Sequence, residues 1–146
     1  MLSRQLMIYF LLCIMAIVMV REFSVSPQSF SGNPVILIFP FVVLTFGLFG
    51  YELFLKLKEA SFEISTWRNI VVCSCIVLVA ASVSEIVYYS ELIRELGGSP
   101  STKGSRIFSL PWLNQYTNTI FVNFYTFLIY TSFLMFCTSL YRWIKK

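Results

Sequence analysis

The stretch Asn69-Ile-Val-Val-Cys-Ser-Cys-Ile-Val-Leu-Val-Ala-Ala-Ser-Val-Ser-Glu-Ile-Val-Tyr-Tyr89 carries one charged residue, Glu85, near its far end. At 1.5 Å rise per residue a helix of this length reaches about 30 Å, the thickness of a bilayer's hydrocarbon core. In lipid each backbone N–H and C=O must be paired inside the segment, so such a run is a helix. A membrane strand would be about 10 residues long with alternating polarity, and no stretch of this chain alternates in that way.

Three further stretches repeat the pattern. One runs from Gln5 to Val20, between Arg4 and the pair Arg21–Glu22. Another runs from Pro34 to Leu55, ahead of Lys56. The last runs from Thr117 to Tyr141 and closes before Arg142. The chain is 58% hydrophobic and 12% charged, whereas soluble domains carry roughly 45–50% apolar and about 25% charged residues. The expectation is an all-α polytopic membrane protein: a single domain over 1–146 with spans at 5–20, 34–55, 69–89 and 117–141 and an outer loop at 90–116. Arg4 followed by an apolar run also describes a secretory signal. The residues from Val18 to Arg21 offer no small-x-small cleavage site, so the first span is read as a retained helix.

Lysine and arginine distribution sets the orientation. With both termini cytoplasmic, Arg4, Lys56, Lys58, Arg68, Arg142, Lys145 and Lys146 lie inside, against Arg21, Arg94, Lys103 and Arg106 outside. The basic C-terminal end suits anionic lipid, each cation adding about 1 kcal/mol near the surface. The Ile-, Phe- and Tyr-rich composition with cytoplasmic lysines suggests a bacterial plasma membrane. Trp and Tyr favour the headgroup level, where the ring is half buried and its polar atom wet. Trp67, Tyr141 and Trp143 are expected as anchors at the inner interface, and Tyr88, Tyr89, Trp112 and Tyr116 at the outer one.

Outside the spans little chain remains. Gly32–Asn33–Pro34 suits the start of the second helix, with Pro34 near its first position. Glu91–Leu96 is expected to extend the third helix to a stop at Gly97–Gly98. Gly97–Ser105 reads as a flexible linker by composition, and Ile107–Leu113 as a short apolar stretch lying along the outer surface. No such segment is long enough to bury a core of its own. Within the second span Pro40 is a candidate kink. Gly47 and Gly50, three apart, are not the G-x-x-x-G dimer motif.

The chain contains no histidine. That removes the usual proton shuttle and commonest metal ligand, together with Ser–His and Cys–His nucleophile pairs. A phosphate loop of the G-x-x-x-x-G-K-[ST] type is also missing, and the net charge of +4 sits at span boundaries rather than along a nucleic-acid groove. No catalytic, cofactor-binding or metal-binding residues are assigned, and the expectation is a protein that is not an enzyme. Four cysteines, Cys13, Cys73, Cys75 and Cys137, all fall inside spans. Thiol oxidation of the quinone-linked kind uses paired, accessible cysteines, whereas Cys73 and Cys75 project about 200° apart on a helix. They read as small hydrophobes.

Two carboxylates lie within spans, where each costs about 2.5–3.5 kcal/mol on insertion scales. Glu52 stands four residues before Lys56, so an i,i+4 pair at the helix end accounts for it. Glu85 has no cation one turn away. It shares a helix face with Ser74, Ala81 and Tyr88, and small residues let membrane helices pack closely. The fourth span carries Thr119, Asn123, Thr126 and Tyr130 at intervals of four, three and four, one polar stripe at matching depth. The expectation is that Glu85 hydrogen-bonds Asn123, Thr119 or both across that interface.

Two function classes follow. One is an accessory, regulatory or immunity-type membrane factor working through helix contacts with another membrane protein or with itself, in the lipid bilayer. The other is a small transporter or channel using Glu85 as an intramembrane proton or cation site. Four-helix exporters of the small multidrug resistance type have this size but rely on a glutamate in the first helix, and no acid lies between Gln5 and Val20. The W-x-x-L-W motif with paired loop cysteines of claudin-like proteins is missing as well.

Overall fold

A computed structural model describes residues 3–24 and 35–145 of the chain. Helix α1 spans Arg4–Phe23, α2 Val35–Glu59, α3 Ile64–Glu95, α4 Asn118–Phe121 and α5 Phe124–Lys145, and no strand occurs among the described residues. Helices α1, α2 and α3, and α4 with α5 taken together, are each long and apolar enough to cross a membrane.

The helix ends follow from local chemistry. Ser3 caps α1, its Oγ accepting from the Leu6 N–H at 3.1 Å. The last turn of α2 carries Lys56 and Lys58, which complement the negative end of the helix dipole. Pro40 lies inside α2 without ending it, and the expected role of Pro34 falls outside the described residues. Helix α3 stops where glycine allows a left-handed residue. Gly97 takes φ 79°, its N–H bonds the Arg94 carbonyl at 3.1 Å, and the Gly98 N–H bonds that of Ile93 at 2.9 Å. With 32 residues, α3 is about 48 Å long. It begins five residues before the expected span and continues six beyond it, so the chain from α2 to α3 is only Ala60–Glu63.

The helices pack as two pairs, α1 on α2 and α3 on α5, and α2 joins them by its contact with α5. Small side chains line the α3–α5 seam, where Ser74 and Ala81 of α3 and Ser132 and Ser139 of α5 are buried. Aromatic rings fill the space between the pairs. Phe127 of α5 sits 5.3 Å from Phe49 and 5.2 Å from Phe46 of α2, and 5.9 Å from Phe10 of α1, centroid to centroid. At the edge of that cluster the Tyr130 hydroxyl donates to the Phe46 carbonyl at 3.1 Å. Gly50, one turn beyond Phe46, makes room for it: a Cβ there would run into the Tyr130 hydroxyl and lie 2.8 Å from Tyr130 Cζ.

Several expectations change. Trp67 is fully buried rather than an interfacial anchor. The Arg142 guanidinium lies 5.6 Å from its ring centre, Phe62 packs at 5.2 Å, and Arg142 Nη2 donates to the Ala60 carbonyl at 3.0 Å. Tyr141 and Trp143 stay exposed at the same end. Tyr88 is drawn inward by a hydrogen bond to Thr119. Glu52 is buried and accepts from Ser3 Oγ at 2.9 Å, whereas Lys56 stands 4.0 Å from Glu52 and only 2.9 Å from Glu59. The cross-helix hydroxyl therefore supplies the closer partner for Glu52.

The stretch 97–117 is folded back on itself rather than a free linker. The Arg106 N–H bonds the Leu96 carbonyl and the Ser109 N–H that of Pro100, both at 2.9 Å, while Ser105 Oγ bonds the Ser99 carbonyl at 2.9 Å. Gly98 and Gly104 adopt φ of 124° and 92°, turns that glycine reaches without strain. Ile107 is fully buried and pins the segment, although Phe108, Leu110, Trp112 and Leu113 remain exposed as a surface strip.

Candidate functional site

The fourth span is not one helix. It breaks at Val122 and Asn123, between α4 and α5, where a continuous helix was expected over 117–141. Neither proline nor glycine is responsible. Asn123 and Thr126 offer the backbone partners that compete with helical ones. Asn123 Oδ1 accepts from the Thr126 N–H at 2.9 Å, and Thr126 Oγ1 accepts from the Asn123 N–H at 2.9 Å. This reciprocal cap starts α5 afresh. The Thr126 hydroxyl donates in turn to the Asn123 carbonyl at 2.9 Å.

The Asn123 amide still has its two N–H donors. Nδ2 donates to Glu85 Oε2 at 2.7 Å and to the Thr119 carbonyl at 2.8 Å. One turn along α3, the Tyr88 hydroxyl donates to Thr119 Oγ1 at 2.8 Å. Glu85, Thr119, Asn123 and Thr126 are thus joined in one network, with Tyr88 as a fifth member. Thr119 meets Glu85 only through Asn123, its own hydroxyl being taken by Tyr88. Tyr130 belongs elsewhere: it follows Thr126 by one turn within α5, but its hydroxyl reaches the Phe46 carbonyl of α2 instead of joining the network.

Electrostatics suit a carboxyl group at this point. The first turn of a helix carries a partial positive charge, and Glu85 faces the cap of α5. Only Oε2 is paired, however. Among the described residues the buried Glu85 Oε1 finds no hydrogen-bond partner, leaving one oxygen able to carry a proton or accept from a donor. Beside the network a cavity of about 390 Å³ is lined by Ile17 and Arg21 of α1, Tyr88, Thr119, Asn123 and the first residues of α5. Arg21, which the sequence placed only as a boundary charge, is the cation of this cavity. The spacing Asn123-x-x-Thr126 was the signal that could have located the break.

A second feature lies on the outside of the α3–α5 pair. A largely apolar groove of about 370 Å³ is lined by Ile70, Cys73, Ser74 and Val77 of α3 and by Leu128 and Met135 of α5, among others. The Thr131 hydroxyl is buried and has no partner among the described residues. Among the described residues no three His, Cys, Asp or Glu side chains converge as a metal site. The four cysteines are free thiols, Cys13 buried and Cys73, Cys75 and Cys137 exposed.

Compared with protein-family models, with curated proteins and with solved structures, the chain matches none.

Proposed function

We propose that this is a small non-enzymatic integral membrane protein that acts as an accessory, regulatory or immunity-type factor through helix contacts with another membrane protein. The groove between α3 and α5 carries the reading. Membrane helices associate through close approach at small residues and through hydrogen bonds across the interface. The groove offers the first of these, an open and largely apolar channel along which Cys73 and Ser74 are small enough for a partner helix to come close. The seven-to-four division of Lys and Arg supports a multi-pass protein with both termini cytoplasmic, and the composition supports a bacterial plasma membrane.

The test is co-purification in a gentle detergent, comparing wild type with Cys73→Phe, which fills the groove, and Glu85→Ala, which leaves it open. The reading expects a defined membrane protein retained by wild type and Glu85→Ala and lost with Cys73→Phe. Equal retention by the groove-filled variant, or retention of nothing but lipid, refutes it.

The broken fourth span favours a second reading. Interrupted membrane helices whose half-helix ends face an ionisable group recur in transporters, and here Glu85 meets such an end beside a cavity. In that reading Glu85 carries a proton or cation. Proteoliposomes containing wild type would then show a proton flux that Glu85→Gln abolishes while its unfolding curve stays unchanged, and a flux indifferent to Glu85→Gln removes this reading.

A further inference from the structure

The ends of α2 and α5 that lie beside the chain termini enclose a cleft of about 610 Å³, lined by Phe54 and Lys58 of α2 and Thr138, Tyr141, Arg142 and Lys145 of α5. Among the described residues three cations and no acid line it. We propose that this cleft is a binding site for the phosphate-bearing headgroup of an anionic phospholipid.

Charge complementarity makes the first argument. The carboxylates nearby are committed elsewhere, Glu52 and Glu59 to Lys56 and to Ser3, and Glu63 to the Ser65 hydroxyl. Among the described residues Lys58, Arg142 and Lys145 form no salt bridge. Two of the three are nevertheless placed. Lys145 Nζ donates to the Tyr141 hydroxyl at 2.8 Å and lies 5.2 Å from the Tyr141 ring centre. Arg142 is held over Trp67 and by the Ala60 carbonyl, and its buried Nε has no partner among the described residues.

The shape of the cleft makes the second argument. Phe54 lies one turn below Lys58, and Thr138 one turn below Arg142, about 6 Å nearer the middle of the spans. The cleft therefore grades from cationic at the helix ends to largely apolar beneath. A free phosphate uses only the upper part, whereas a lipid uses both, its phosphate against the cations and its glycerol and first methylenes against Phe54. Basic clefts between membrane helices at the cytoplasmic side are the usual form of such sites.

Native mass spectrometry of the purified full chain in detergent tests the inference. Phosphatidylglycerol and phosphatidylcholine with identical acyl chains are titrated separately, and inorganic phosphate is added in large excess as a competitor. The site predicts preferential retention of phosphatidylglycerol that inorganic phosphate does not displace. Each cation removed should weaken binding about fivefold, so Lys58→Gln with Lys145→Gln should weaken it about 25-fold. Lys103→Gln, in the loop at the opposite end, should change nothing. Both substituted lysines are exposed, and the headgroup comparison on wild type stands without any variant. Equal affinity for the two lipids overturns the proposal. So does an unaffected double variant, equal weakening by Lys103→Gln, or full displacement by inorganic phosphate, which would mark a site for free anions.

Discussion

Gly50→Ala and Gly47→Ala are the same substitution one turn apart on α2, and the structure assigns them opposite signs. At Gly47 a Cβ would meet nothing within 4 Å, and at Gly50 it would strike the Tyr130 hydroxyl and come within 2.9 Å of Leu134 Cδ1. Alanine gains up to about 1 kcal/mol over glycine in helix propensity, so Gly47→Ala should stabilise by roughly that amount. At Gly50 the gain is outweighed. Overpacking costs about 1–3 kcal/mol, and displacing Tyr130 forfeits its bond to the Phe46 carbonyl, worth about 0.6 and at most about 1.7 kcal/mol in a membrane. The net expectation is a loss of about 2 kcal/mol, roughly 30-fold in the unfolding constant. The assay is unfolding by sodium dodecyl sulfate in mixed micelles, followed by far-ultraviolet circular dichroism. Because the clash falls on the Tyr130 hydroxyl, adding Tyr130→Phe to Gly50→Ala should restore part of the loss, although Tyr130→Phe alone destabilises. If Gly50→Ala unfolds at the same detergent fraction as Gly47→Ala, or if the two α2–α5 substitutions simply add, the reasoning is wrong.

Three other outcomes follow from the same geometry. In a double-mutant cycle Asn123→Ala should cost about 1–2.5 kcal/mol, combining a lost cap with a lost interhelical bond, and should couple to Glu85→Ala, which removes the acceptor of the Asn123 amide, by about 0.6–1.7 kcal/mol in the same detergent titration. Arg142→Gln removes the cation over Trp67 and should cost about 1–2 kcal/mol. In a Trp112→Phe, Trp143→Phe background it should also raise acrylamide quenching of the remaining Trp67 fluorescence. Gly97→Ala places a Cβ on a residue at φ 79° and should cost about 1–2 kcal/mol, read as a lower thermal midpoint with helix content retained.

Hydropathy locates the four helices long and apolar enough to cross a membrane because bilayer thickness sets a length that random apolar runs rarely reach. Asn69–Tyr89 fell inside α3 on that basis alone. The Glu85–Asn123 bond was also legible, since depth and face can be counted along a helix from either boundary. The break at Asn123 was not. A polar residue in an apolar run reads equally as one point on a stripe and as a cap, and only the geometry of Thr126 decides between them. Trp67 misled for a different reason. An aromatic residue at a span boundary reads as an anchor until something covers it, and its cover, Arg142, lies far along the chain. Composition failed at Gly97–Ser105 because glycine and serine serve a flexible linker and a tight succession of turns alike. Neither the α3–α5 groove nor the cleft at Lys58 and Lys145 was visible, since each is a space between helices rather than a pattern on one.

The pairing of α1 with α2 and of α3 with α5, neighbours in chain order on either side of Ala60–Glu63, bears on biogenesis. Each pair is a hairpin that can enter a bilayer before the other exists, with a cross-helix polar contact of its own: Ser3 with Glu52 in the first, Glu85 and Tyr88 with Asn123 and Thr119 in the second. Assembly then reduces to one docking step between two preformed halves. The aromatic cluster, the Tyr130–Phe46 bond and the clamp of Arg142 on the Ala60 carbonyl are what that step makes. Halves translated as separate polypeptides and inserted side by side would carry every contact needed to find each other.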